Sequence, residues 1–132
     1  MINEGQFLWR APRHVAQNAN ITKFSAWLKS NRNLDLPDYP ELWDWSVDDS
    51  PAFWQAIWDY FDIQTSGEIE QVRTGDPMPQ TRWFTGTRLN YAEHVLRHET
   101  NGDPARTVLQ HCSEIRDLAE MSWADLGAQV RQ

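Results

Sequence analysis

The chain has little cysteine and no long apolar run. Cys112 is its only cysteine among 132 residues, so no disulfide can form within the chain. It has no run of the roughly 18 apolar residues typical of a transmembrane helix. Its first residues have neither the basic start nor the apolar core of a secretory signal peptide. These absences predict a cytoplasmic protein without a membrane-spanning helix.

Lysine and arginine are missing from the middle of the chain. The net charge is −7, with five basic residues and one acid in 1–32, ten acids and no Lys or Arg in 33–72, and seven basic residues and eight acids in 73–132. Binding to nucleic acid needs clustered basic residues, so this class of partner is excluded. The acidic segment is either a solvated surface, the simpler interpretation, or a docking surface for a basic part of the same protein.

Motifs that carry catalysis or bind phosphate are also missing. The chain has neither a Gly-x-x-x-x-Gly-Lys-Ser/Thr loop nor a Gly-x-Gly-x-x-Gly turn. His111 and Cys112 are neighbours in a predicted strand, so their side chains point to opposite faces and cannot act as a base and nucleophile pair. Glu68 and Glu70 could share a face, but nothing indicates paired carboxylate catalysis. No catalytic or cofactor-binding residue can therefore be assigned.

The histidines do not complete a metal site. His94 and His98 have the i, i+4 spacing of a zinc-binding pair, but no nearby cysteine or acid cluster supplies further ligands. The sequence therefore predicts no metal-ligating residue. His98 is expected to stabilise the last turn of its helix.

Four helices are predicted in the first half of the chain. Pro12 begins a short helix over about 12–18. Asn20 is expected to cap a second helix, which ends at the polar cluster 31–33. Asp38 precedes a third helix, and Ser50, followed by a proline, is expected to cap a fourth over about 51–62. The apolar stripe of the second helix consists of Ile21, Phe24, Trp27 and Leu28.

The second half is more varied. Residues 64–80 are a turn-rich connector with a brief strand around Ile69 and Val72. Residues 107–112 and 117–121 are predicted to form a β-hairpin. Ser122 and Asp125 then form a capping box for a helix that runs to the end of the sequence. The predicted fold class is α+β, mainly α: a helical region, then a hairpin and the start of another helix.

Eight tryptophans are far more than a chain of this length normally has. They could form a binding face, such as an aromatic cage. Filling of a core and of interfaces is favoured, because several of these side chains lie on apolar helical stripes. The tryptophans are Trp9, Trp27, Trp43, Trp45, Trp54, Trp58, Trp83 and Trp123.

The stretch 82–98 is the most informative part of the sequence. Trp83 and Phe84 lead into a Thr-Gly-Thr turn, where Gly86 is expected to be an isolated turn glycine, and Asn90 is expected to cap a helix. This stretch resembles the "W-F-x-G-x-x-L-N-Y-A-E" segment near the start of acetoacetyl-CoA synthetases, in the acyl-CoA synthetase branch of the adenylate-forming, AMP-binding enzymes. Residues 8–12, 20–28, 42–47, 53–61 and 103–130 are similar to further family blocks in the same order.

The resemblance implies a ligase. Such an enzyme uses ATP and Mg²⁺ to convert acetoacetate into an acyl-adenylate and pyrophosphate, and CoA then displaces AMP. It implies a helical N-terminal region over 1–100 and, over 101–132, the first hairpin and partial helix of a truncated adenylation domain. The remainder of that domain is the implied partner.

The family's phosphate loop, nucleotide and CoA contacts and catalytic lysine all lie beyond Gln132. No catalytic, cofactor-binding or metal residue is therefore carried over to this chain, and the chain alone is expected to be an inactive N-terminal fragment. The alternative is a freestanding, tryptophan-rich interaction module without catalysis. The oligomeric state stays open.

Overall fold

A computed structural model of the chain describes Glu4, Gln6 and residues 8–132, which form two compact units. The first unit contains residues up to Asp62 and Val72–Thr81, and the second contains Ile63–Gln71 and Arg82–Gln132. The helices are α1 (Arg13–Asn18), α2 (Asn20–Arg32), α3 (Tyr39–Asp48), α4 (Ser50–Tyr60), α5 (Tyr91–Asn101) and α6 (Trp123–Val130), and the strands are β1 (Gln71–Arg73), β2 (Trp83–Thr85), β3 (Thr107–Ser113) and β4 (Arg116–Ser122). This mixed architecture confirms the predicted fold class.

Aspartates begin two helices of the first unit. The Asp38 side chain accepts a hydrogen bond from the backbone N–H of Glu41 at 3.1 Å, as predicted for the start of α3. Asp49 accepts one from the N–H of Ala52 at 3.1 Å, so Asp49 is the N-cap of α4 and the prediction for Ser50 was wrong by one residue. The Ser50 hydroxyl instead accepts a hydrogen bond from Arg73 at 2.8 Å.

The start of α2 also differs from the prediction. Asn20 is already helical, and Ala19, in an extended conformation, is the N-cap without a side-chain bond. Because α1 ends at Asn18, Ala19 is the one residue between the two helices. At the other end Asn33 adopts a left-handed conformation (φ 54°), which Asn tolerates better than most residues. The predicted end of α2 at this polar cluster is therefore confirmed.

The core of the first unit lies between α2, α3 and α4. Leu28 is completely buried, and Phe24, Leu42 and Ala56 are buried around it. The Phe24 ring lies 5.1 Å from that of Tyr60, centroid to centroid, in an edge-to-face arrangement that aromatic rings favour. The residues packed on this core are Trp27, Leu34, Leu36, Trp45, Phe53, Ile57 and Tyr60.

In the second unit the predicted hairpin and helix are present. β3 and β4 pair antiparallel, with Leu109 opposite Met121, and both strands extend slightly beyond their predicted ends. The Ser122 hydroxyl accepts from the N–H of Asp125, whose carboxylate accepts from the N–H of Ser122. The capping box of α6 is therefore confirmed. Of the two residues predicted for a brief strand in the connector, Val72 lies in β1 and Ile69 lies before it.

The tryptophans are less buried than a core-filling role predicts. Trp123 is buried, whereas Trp27, Trp45 and Trp58 are half-buried. The remaining four are exposed on the described chain, namely Trp9, Trp43, Trp54 and Trp83. Core filling is therefore confirmed for half of them, and for the four exposed side chains the filling of interfaces stays a prediction.

Candidate functional site

The stretch 82–98 is held by a close approach of two backbone segments in the second unit. Ser66 and Arg88 exchange two backbone hydrogen bonds of 3.0 and 2.9 Å. The N–H of Glu70 donates to the carbonyl of Thr85 at 2.9 Å. The turn between them is closed by the Thr87 hydroxyl, which donates to the carbonyl of Phe84 at 2.6 Å.

Two glycines make this approach possible. Gly67 and Gly86 both have φ +84°, a conformation that glycine adopts without strain. A Cβ on Gly67 would lie 2.2 Å from the carbonyl oxygen of Gly86, and a Cβ on Gly86 would lie 2.3 Å from that of Glu68. Gly86 therefore lies in a turn, as predicted, and also approaches Gly67, which the sequence did not predict. The contact with Gly67 was missed because no pattern in the sequence indicates that the two segments lie side by side.

The helix after this turn begins as predicted. The Asn90 side chain accepts a hydrogen bond from the N–H of Glu93 at 3.3 Å and caps α5. Beside this helix start is a small pocket of about 310 Å³. Its lining is polar apart from one leucine and consists of Gln64, Thr65, Ser66, Arg88, Leu89, Asn90 and Glu93. The lining contains neither histidine nor cysteine.

The two helical histidines have separate roles. Nδ1 of His94 accepts a hydrogen bond from the backbone N–H of Gln64 at 3.2 Å. The His98 ring lies 5.3 Å from that of Trp123, centroid to centroid. Within the described part of the chain, no three His, Cys, Asp or Glu residues are grouped to hold a metal ion. The structure therefore places these histidines in packing and backbone contacts.

An ion pair joins α5 and α6. Arg131 donates two hydrogen bonds to the Glu99 carboxylate, at 2.7 and 2.8 Å. These bonds lower the pKa of Glu99 and raise that of Arg131. Gly127 lies against this pair, because a Cβ there would be 2.2 Å from Oε2 of Glu99. Sequence analysis missed the pair, since its members are 32 positions apart.

The other residues considered in the sequence analysis lie on the strands and beside the paired backbones. Cys112 is exposed on β3, and Glu68 and Glu70 lie beside the paired backbones. No helix in the described ranges is long and apolar enough to cross a membrane. The main feature of the second unit is a hydrogen-bonded junction between a turn and a helix.

Similarity to known proteins identifies this junction. The family described as "Acetyl-coenzyme A synthetase N-terminus" matches residues 39–95. Acetoacetyl-CoA synthetase of Danio rerio is 31% identical over 98% of this chain, and that of Xenopus tropicalis is 43% identical over 54% of it. The solved structure of acetoacetyl-CoA synthetase from Streptomyces lividans is 35% identical over 95% of the chain, with a TM-score of 0.84.

The match covers only part of each relative. The chain spans 19% of the Danio rerio protein, 11% of that from Xenopus tropicalis and 19% of the Streptomyces lividans chain. The description of the matching family places the match at the N-terminus of its members, and the solved structure matches nearly all of this chain. The chain therefore corresponds to the N-terminal portion of acetoacetyl-CoA synthetases.

Proposed function

We propose that this chain is the structural N-terminal region of an acid–thiol ligase. In that enzyme the carboxylate of acetoacetate attacks the α-phosphate of ATP and releases pyrophosphate, and the thiol of CoA then attacks the acyl carbon and releases AMP. The observation that carries the proposal is the TM-score of 0.84 at 35% identity over 95% of the chain. A likeness of this extent supports the same role within the enzyme.

We assign no catalytic, cofactor-binding or metal-ligating residue to this chain. The described residues do not fit ATP and Mg²⁺, because no carboxylate cluster is grouped for a metal and the acids of 33–72 would repel a triphosphate. ATP, Mg²⁺ and CoA would bind to the part of the enzyme that this chain does not contain. This chain would fold as the N-terminal region of a cytoplasmic enzyme and would support that part structurally.

The proposal includes the division into 1–100 and 101–132. The family match ends at residue 95, which supports a helical N-terminal region of this length. The hairpin that follows has few covered residues, as expected for the first strands of a larger adenylation domain. The contacts of α5 with α6 would then join the two parts.

The experiment compares the chain alone with a chimaera. In the chimaera, residues 1–132 replace the matching region of the Streptomyces lividans enzyme. We expect pyrophosphate release that depends on ATP and acetoacetate from the chimaera, and none from the chain alone. Activity of the chain alone would overturn the inactive-region proposal. A folded but inactive chimaera would favour a freestanding interaction module instead.

A further inference from the structure

Helix α3 has an apolar stripe that faces outward. Tyr39, Trp43 and Val47 follow one another at intervals of four residues, so they lie along one side of the helix. Their exposed fractions are 64%, 53% and 57%. Single exposed apolar residues are normal, but a continuous row of three with two aromatic rings marks a contact surface.

This stripe is distinct from the side of α3 that faces the core. Leu42 is buried and Trp45 is half-buried against the core cluster, so α3 is apolar on two sides. Beside the stripe is an open groove of about 420 Å³. The groove lies between α2, α3 and α4, and its lining includes Tyr39 and Trp43 of the stripe. The stripe and the groove form one apolar surface.

An acidic row borders the stripe. At 100° per residue, Asp44 and Asp48 lie on the side of α3 beyond Val47, away from the core. Neither carboxylate makes an ion pair with any residue that the structure describes. The segment 33–72 contains no lysine or arginine that could neutralise them. The surface is therefore apolar with an unneutralised acidic edge.

We propose that this surface, the α3 face (Tyr39, Trp43 and Val47 with Asp44 and Asp48), docks onto the rest of the synthetase, on an apolar patch edged by lysine or arginine. The inference rests on the proposed function and specifies its contact surface. Since this chain spans 19% of the Streptomyces lividans enzyme, roughly four fifths of that protein lies outside the matched region and is available as the occupant. A second copy fits less well, because two chains of net charge −7 would bring like charges together.

Thiol labelling measures whether the α3 face is covered. In a Cys112→Ser background, Val47→Cys is compared in the chain alone and in the chimaera with the Streptomyces lividans enzyme. We expect a maleimide to react about tenfold more slowly in the chimaera, because the centre of an interface excludes solvent. Ser30→Cys is the matched control, since Ser30 is an exposed residue of α2 two positions after buried Leu28. Its reaction rate should be the same in both proteins.

Charge reversal tests the chemistry of the occupant without depending on labelling. Asp44→Lys with Asp48→Lys should lower the unfolding temperature of the chimaera more than that of the chain alone. Glu4→Lys with Asp76→Lys, exposed residues outside both α3 and the hairpin, makes the same change in net charge and should show no such difference. If both pairs of substitutions lowered the unfolding temperature equally in both proteins, the proposed basic edge of the occupant would be wrong.

The remaining outcomes also decide the proposal. Equal labelling of Val47→Cys in the two proteins, or a chimaera that does not fold, would overturn it. A chain that sediments as a dimer and becomes monomeric with Trp43→Glu would identify a second copy as the occupant and also overturn it. A chimaera with protected Val47→Cys but no pyrophosphate release would support docking while contradicting the proposed function.

Discussion

The helical cluster α2–α4 and the hairpin β3–β4 differ in how much of their own surface they bury. In the cluster, Leu28 is completely buried and Phe24, Leu42 and Ala56 are buried with it. In the hairpin only Val108, Met121 and Ser122 are half-buried, and all other strand residues are exposed. A two-stranded sheet without a covered face is marginally stable in water. One region therefore has its own core, whereas the faces of the other are largely uncovered within this chain.

Local signals do not explain this difference. Asp38 and Asp49 cap helices in the first unit as Asn90 and Ser122 do in the second. The hairpin also has side-chain bonds of its own, since Thr107 and Gln110 both donate to Glu120 and lower its pKa. The regions thus form their elements equally well and differ in tertiary packing. The predictions below test that distinction.

The largest effect is expected from removing a side chain of the core. Leu28→Ala leaves a cavity at a fully buried position and should lower the free energy of unfolding by about 2–5 kcal/mol. Leu118→Ala, at a residue of β4 that is 66% exposed, should change it by less than about 0.5 kcal/mol. Urea unfolding measures both values. A large decrease in the free energy of unfolding for Leu118→Ala would show that the hairpin has a core of its own.

A smaller effect is expected at the paired glycines. Gly86→Ala forces a Cβ against the carbonyl of Glu68 at positive φ, and such strain costs about 1–3 kcal/mol. Gly75→Ala is the control, because no atom lies within 4 Å of its added Cβ. Thermal unfolding monitored by circular dichroism compares the two variants. If Gly86→Ala were as stable as Gly75→Ala, the close approach of the two segments would be wrong.

Loss of a helix cap should cost the same in both units. Asp49→Ala and Ser122→Ala each remove an N-cap bond, which is worth about 1 kcal/mol. We expect urea unfolding to give similar losses at the two sites. A much larger loss at one of them would show that local signals also differ between the regions.

The smallest effect concerns the ion pair between α5 and α6. The pKa of Glu99 is lowered by the hydrogen bonds of Arg131, so the pair stabilises the fold above the pKa of an unfolded glutamate, about 4.3. This contribution is lost as the pH falls through the lower pKa of the folded state. Glu99→Gln should therefore flatten the decline of the unfolding temperature between pH 5 and 3. An unchanged decline in this variant would contradict the role of the pair.

The fold could be predicted wherever a signal is local. Asp38 before Tyr-Pro, Asn90 before α5 and Ser122 with Asp125 each satisfy the first turn of a helix through their own side chains. The errors at Asn20 and Ser50 are shifts of one residue. At Ser50 two candidate caps are adjacent in the sequence, and at Asn20 the preceding helix has just ended. These predictions needed no knowledge of tertiary contacts.

Contacts between distant segments could not be predicted. Gly67 with Gly86 and Glu99 with Arg131 depend on how loops bring the chain together, and no residue pattern encodes that pairing. The outward stripe of α3 was also missed, since apolar periodicity does not distinguish a side that faces the core from one that faces solvent. Its exposed Trp43 lies outside the core, so only the interface part of the prediction for the tryptophans applies to it.

Amide hydrogen exchange tests most directly whether the helical cluster has its own core while the hairpin needs a neighbour. In the monomeric chain, we predict that amides of α2 and α4 exchange slowly and those of 107–122 exchange far faster, and that the hairpin becomes protected in the chimaera. Protection of 107–122 equal to that of α2 in the monomer would contradict the account.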